Sequence, residues 1–233
     1  MLSSIPQLRS DVAAITQPVT VAVARSNLGP GDATAILDKW ALELESRILS
    51  LGYNLVDISG PNLTYEGMTR ILTATKPKIL FNFSHGCKNY LIGNDGVCTL
   101  TRGWEDQIAC GVCGKQSNLS VVKNMAVVAY SCNAAAQLGK CMVAYGAPAF
   151  VGFSDSLIVV SDKFGMQDMF KDALMPMAER ILIGMPIGTA VELTKAELYD
   201  AVKQYKPIEL LSVPLWYNRK YLQLIGNPNW AII

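Results

Sequence analysis

Short runs of β-branched and apolar residues alternate with stretches of helical periodicity along the whole chain of 233 residues. Alternation of this kind calls for strands joined by crossover helices, an α/β domain with a mainly parallel sheet. The first strand is predicted over 19–24 and ends before Gly29-Pro30-Gly31. Asp32 then caps a helix running to about residue 51, with Ala35, Ile36, Trp40, Leu42, Leu44 and Ile48 on its apolar face and Gly52 closing it. A strand over 53–58, a turn at 60–62, a helix over 65–75 ending before Pro77, and a strand over 78–84 follow.

The stretch 86–123 is different in character, rich in glycine, cysteine and scattered polar residues, and predicts surface loops and short hairpins. Regular alternation then resumes. A strand over 125–130, a helix over 133–144 and a strand over 147–153 precede helices over 163–183 and 189–204. Late strands are expected at 215–217 and 221–225. No internal repeat, low-complexity segment or linker interrupts the pattern, so one domain is expected over 1–233, with 1–17 as an N-terminal extension.

Composition agrees with a sheet covered on both faces. Hydrophobic residues make up 51% and charged residues 17%, so strands can be near-continuous apolar runs. A formal net charge of +1, without a basic tract, argues against nucleic-acid binding and against a polybasic membrane anchor. The N-terminus lacks a cationic start followed by an apolar core, and the most apolar window, 141–160, is broken by Gly146, Pro148, Gly152 and Asp155. The expectation is a soluble, cytoplasmic protein whose six cysteines are mostly reduced. Cys110-Gly111-Val112-Cys113 has the form of half a zinc knuckle, but only the widely spaced Cys87 and Cys98 are on hand to complete it, so unpartnered loop thiols are the favoured reading.

Chemistry concentrates where two strands end. The single histidine, His85, follows the apolar run 79–83 in Ser84-His85-Gly86, and Cys132 follows the run 125–130 in Ser131-Cys132-Asn133. In parallel sheets the ligand crevice lies outside the carboxyl ends of the strands, and neighbouring strands are about 4.8 Å apart. His85 and Cys132 are therefore candidates for an imidazole–thiol dyad. A helix starting at Asn133 would also direct its amides at the sulfur and favour the thiolate. Backbone amides of Gly86 and Cys132 are candidates for an oxyanion hole. Cys87 is a rival nucleophile without such a helix, and Cys141 falls inside the predicted helix as a buried thiol. Trp104, on a loop expected to border the cleft, Tyr130, two positions before Cys132, and Asp155, just past the fifth strand, are candidate substrate-binding residues.

These residues resemble a known family. Ser84-His85-Gly86 followed by Leu91-Ile92-Gly93-Asn94-Asp95-Gly96 resembles the histidine loop of caspase-like cysteine peptidases. The order of strand, His-Gly, loop, strand and Cys is also similar, with 47 residues from His85 to Cys132. The continuation Cys132-Asn133-Ala134-Ala135, the segment 145–153 and Leu222-Gln223-Leu224-Ile225-Gly226-Asn227-Pro228 look most like the gingipain and CHAT branch of clan CD, with Asn227 in place of an Asp. The likeness spans roughly 18–230.

The resemblance implies a three-layer α/β/α domain with about six strands, hydrolysing peptide bonds in a protein or peptide substrate through a thioester acyl-enzyme. It requires no cofactor and no metal, and leaves room for an oligomer or regulatory partner. Asp95 resembles a structural residue of the histidine loop. Two departures stand out. The Gln and Gly that flank the caspase nucleophile are absent, and Tyr130 occupies the position where metacaspase-like members carry an acidic residue that helps bind a basic P1 side chain. Asp155 is the remaining candidate to receive a cation there. Two other readings are a non-catalytic caspase-like module that binds or assembles with proteins, and a flavodoxin-like small-ligand binder.

Overall fold

A computed structural model describes residues 18–96, 98–103, 116–159 and 167–233. Six strands form one sheet in the order β2-β1-β3-β7-β8-β9. They are β1 (Thr20–Arg25), β2 (Asn54–Ile58), β3 (Ile79–Phe83), β7 (Ala126–Tyr130), β8 (Ala149–Phe153) and β9 (Leu222–Gly226). All neighbours are parallel except the last, where β9 runs antiparallel to β8. Between β3 and β7 the chain builds a second, three-stranded antiparallel sheet from β4 (His85–Gly86), β5 (Tyr90–Ile92) and β6 (Cys98–Thr101). This matches the hairpins predicted after His85, but β5 and β6 are largely buried rather than on the surface, because Leu91 and Leu100 pack into the core on the α2 side of the main sheet.

Every residue of β3, β7 and β8 is buried. Their side chains alternate between two cores, as period-two geometry requires. On one face Val21, Val23, Phe81, Phe83, Val128 and Tyr130 meet helix α1 (Ala33–Ser50), α4 (Gln167–Leu174), α5 (Pro176–Leu182) and α6 (Ile187–Gln204). On the other, Ala22, Ala24, Leu80, Val127 and Ala129 meet α2 (Tyr65–Thr75) and α3 (Leu138–Ala144). The result is the expected three-layer α/β/α arrangement. No helix among the described residues is long and apolar enough to cross a membrane.

Four expectations need correction. Residues 215–217 are not a strand but part of helix α7 (Glu209–Tyr221), in which Leu211, Leu215 and Asn218 recur at helical spacing on the buried side. A short apolar run cannot by itself distinguish strand from helix, and Pro214 obscured the period. The helix expected over 163–183 is two helices, α4 and α5, divided at Met175 before Pro176; its first residues lie outside the described ones. The helix expected from Asn133 starts only at Leu138. Finally, Cys98 is disulfide-bonded rather than a reduced loop thiol, whereas Cys132 and Cys141 are free.

Candidate active site

Strand register brings the two proposed reactive side chains together. Phe83 of β3 pairs with Tyr130 of β7, so the residues two beyond each, His85 and Cys132, leave the sheet side by side. Both line one small cavity of about 40 Å³, whose walls include Leu37 of α1, Tyr130, Leu157 and Val159. The cavity opens at the carboxyl edge of the parallel strands, where the fold class places ligand sites.

Beneath it lies a polar support. Asn82, wholly buried in central strand β3, donates to the Ser84 and Ser131 hydroxyls, both at 2.9 Å. Ser84 in turn donates to the His85 carbonyl at 2.9 Å. One side-chain amide thus ties together the residues that precede His85 and Cys132. The Asn82 carbonyl oxygen has no protein partner among the described residues.

Asp32 completes the histidine's surroundings. Helix α1 returns antiparallel to β1, so its N-terminus lies at the same edge of the sheet as His85. The Asp32 carboxylate caps that helix by accepting from the Thr34 amide at 2.8 Å and the Thr34 hydroxyl at 2.6 Å. It also holds His85 Nε2 at 3.1 Å. Burial works to raise the Asp32 pKa, but hydrogen bonds from Thr34 and the His85 contact outweigh it and hold the carboxyl below its ordinary value. With Nε2 engaged, Nδ1 is the ring nitrogen left for proton exchange. Asp32 was legible in the sequence only as a cap. Its second role depends on α1 packing on the face of the sheet toward which His85 turns.

Cys132 is set differently from the expectation. Because α3 starts at Leu138, six residues beyond Cys132, its N-terminus is not the one expected directly after the sulfur. Asn133 instead adopts a left-handed conformation (φ 58°), and its amide donates to the Asp155 carbonyl at 2.8 Å. The Cys132 thiol donates to the Leu157 carbonyl at 3.8 Å. Burial first, with the Asp155 charge adding to it, pushes the thiol above its ordinary pKa. Both effects favour the thiol over the thiolate, opposite to the sequence-based expectation.

Gly86 is where it must be for close approach. A β-carbon there would stand 2.8 Å from Ser131 Cβ and 2.9 Å from the Cys132 carbonyl oxygen. Its neighbour Cys87 donates to the Tyr90 carbonyl at 2.9 Å, closing the β4–β5 hairpin. Antiparallel alternation then turns the Gly86 amide away from β5, out of that ladder. The proposed oxyanion donor is thus not consumed by the hairpin.

The segment 154–159 forms the far wall. Buried Asn218 of α7 clamps it by donating to the Ile158 carbonyl at 2.7 Å and accepting from the Ile158 amide at 2.9 Å. Asp155 on this wall accepts from the Ser156 amide at 2.8 Å and hydrogen-bonds Tyr217 of α7. Desolvation and the Asp155 contact push the Tyr217 hydroxyl up to about 12. Tyr217 was missed because 215–217 was read as a strand, and Asn218 because it fell in the gap between the two strands expected there.

The remaining candidates divide clearly. Tyr130 borders the cavity floor but is a core residue, fully buried, stacked on Phe83 with centroids 4.7 Å apart and donating to the Leu174 carbonyl at 3.2 Å. It has no surface with which to bind substrate, which corrects its candidacy. Trp104 lies outside the described residues, as do Cys110 and Cys113. Cys87 is buried with Tyr90 and Cys98 and does not line the cavity. Among the described residues, no group of three or more His, Cys, Asp or Glu side chains is placed to hold a metal. No protein-family model matches the chain, and no curated protein matches it.

Proposed function

We propose that the chain is a cysteine endopeptidase of caspase-like fold, closest to the gingipain and CHAT branch. The observation that carries this reading is the shared cavity: His85 and Cys132 stand abreast on neighbouring strands at the ligand edge of the sheet, with Asp32 behind the imidazole. A cysteine beside a carboxylate-oriented histidine is suited to acyl transfer. Nδ1 of His85 takes the proton as the sulfur attacks the scissile carbonyl. The developing oxyanion is met by the Gly86 and Cys132 amides. His85 then returns the proton to the leaving amine, and water resolves the thioester. Asp32 keeps Nε2 occupied and the ring oriented throughout. Asp155, with its Tyr217 contact, sits beside Cys132 as a group that a cationic P1 side chain would meet. The partner is a protein or peptide substrate, and the chemistry asks for no cofactor.

The Cys132 thiol, bound to Leu157 and raised in pKa, favours a second reading, a non-catalytic caspase-like module. Substrate binding must displace the Leu157 contact if the first reading holds. A positional peptide library incubated with the purified protein separates the two. The proposal expects cleavage that disappears in both Cys132→Ala and His85→Ala; no cleavage by the native protein, or cleavage that survives either substitution, overturns it. A free nucleophilic thiol fits a reducing compartment such as the cytoplasm, whereas the Cys98 disulfide fits an oxidising one. Thiol counting on protein isolated under non-reducing conditions decides between them.

A further inference from the structure

Strands β1, β3 and β7 begin at a second cavity, of about 390 Å³, on the edge of the sheet opposite the candidate active site. Lys76, Lys78 and Lys123 all line it, and no carboxylate does. The three lysines are exposed, and none has an acidic partner among the described residues. Of the other described lysines, Lys171, Lys195 and Lys203 are paired with a Glu or Asp and Lys39, Lys88, Lys140, Lys206 and Lys220 are not, so what sets these three apart is their convergence on one cavity. The lysine cluster is thus a local excess of cations in a chain whose net charge is only +1.

Lysines also gather near helix C-termini, and two helices end here. Lys76 is the C-terminal cap of α2, and the end of α3 reaches the cavity through the Gly146 carbonyl, which accepts from Asn124 at 2.9 Å. Each helix end supplies roughly half a negative charge. Two ends offset about one of three lysines, leaving about two positive charges without a counterpart.

The backbone reinforces the placement. Among the described residues, Lys76 (φ 45°) and Asn124 (φ 64°) are two of three non-glycine residues with left-handed backbone, and both line this cavity. Asparagine tolerates that conformation, whereas lysine does so poorly. At Lys76 the chain holds a cation in a position where glycine is the usual choice for a helix end. Behind the lysines the wall is apolar, with Val121 and buried Met125.

We propose that this cavity binds a phosphorylated small molecule, with its phosphate groups among Lys76, Lys78 and Lys123 and its less polar body against Val121 and Met125. Ammonium groups act as point charges toward phosphate oxygens, and the cavity volume is in the ordinary range for small ligands. The inference is independent of the peptidase reading, since it shares no residue with that site.

The test is isothermal titration of the full chain with ATP and, separately, inorganic tripolyphosphate at about 0.1 M salt. Both are expected to bind, with affinity falling steeply as salt rises. The triple variant Lys76→Asn, Lys78→Gln, Lys123→Gln is expected to weaken binding at least about tenfold, whereas Lys206→Gln leaves it unchanged. Asparagine keeps the left-handed position, and the single variants Lys78→Gln and Lys123→Gln, each expected to weaken binding, cover the case in which the triple variant does not fold. Absence of binding by both probes overturns the proposal. So does equal binding by the lysine variants, or an equal loss in Lys206→Gln. Vesicles of phosphatidylcholine with a phosphoinositide distinguish the source of the phosphate: recruitment without binding of the soluble probes contradicts a soluble ligand.

Discussion

Replacing Asp32 separates two jobs held by one carboxylate. Asparagine caps helices about as well as aspartate, so Asp32→Asn keeps the Thr34 bonds of α1 and removes the charge facing His85. Asp32→Ala removes both. At 3.1 Å a pair of unit charges gains about 5 kcal/mol at an effective dielectric of 20 and about 1.3 kcal/mol in bulk water. The side chains are 38% and 32% exposed, so the watery limit applies and the contact contributes about 1 kcal/mol. Loss of the cap costs about another 1 kcal/mol. The expected melting-temperature losses are then about 2–4 °C for Asp32→Asn and about twice that for Asp32→Ala.

A urea-unfolding cycle over Asp32→Asn, His85→Ala and the double variant should give a coupling of about 1 kcal/mol. The pH dependence has a definite sign. Because the folded pKa of Asp32 lies below 3.8, its contribution is present above that value and is lost as pH falls through the lower folded one. The stability gap between native protein and Asp32→Asn should therefore close in acid. Peptide cleavage by Asp32→Asn should fall by about fivefold for each 1 kcal/mol of lost orientation. A coupling of zero, or no destabilisation by Asp32→Asn while Asp32→Ala still loses about 1 kcal/mol, refutes a bond between Asp32 and His85 and leaves only a helix cap.

Three further outcomes follow from the geometry. Gly86→Ala drives a methyl group against Ser131 and the Cys132 backbone, and should cost about 1–3 kcal/mol in urea unfolding; an unchanged midpoint would show that the two strand ends are not pressed together. Arg25 bonds Asp38 at 2.7 Å, Glu45 at 2.9 Å and Asp57 at 2.8 Å, so Arg25→Met should cost about 3 kcal/mol at pH 7. Burial already raises the Glu45 pKa, so this carboxyl protonates early and part of the loss should be recovered at pH 5; an equal loss at both pH values counts against the network. Cys132 in the unliganded protein should alkylate slowly with iodoacetamide at neutral pH, its rate climbing only above the ordinary thiol range, since burial holds the proton on sulfur. A rate plateau reached below that range contradicts the raised pKa.

Parallel strands wrote themselves plainly into the chain because burial on both faces makes them continuous apolar runs, as in β3, β7 and β8. The same runs located His85 and Cys132, since residues just past such strands must reach the ligand edge. What could not be read locally depends on packing. Residues 133–137 have a helical look, yet left-handed Asn133 and its bond to Asp155 postpone α3 to Leu138, so that its N-terminus does not directly follow the sulfur. Asp32 announced its cap through the sequence after it, but its approach to His85 comes from the side of the sheet that α1 covers. Tyr217 and Asn218 reach the site only because α7 is a helix, a fact hidden by Pro214 within a short apolar run.

Covalent capture bears most directly on the central claim, that Cys132 is a nucleophile served by His85. Native protein is treated with a peptidyl acyloxymethyl ketone, and the modified residue is identified by peptide mapping. A single adduct on Cys132, absent in His85→Ala and in protein unfolded before treatment, is the predicted result. Labelling of Cys87 or Cys141 instead, an adduct that forms equally well without His85, or no adduct at all contradicts the account.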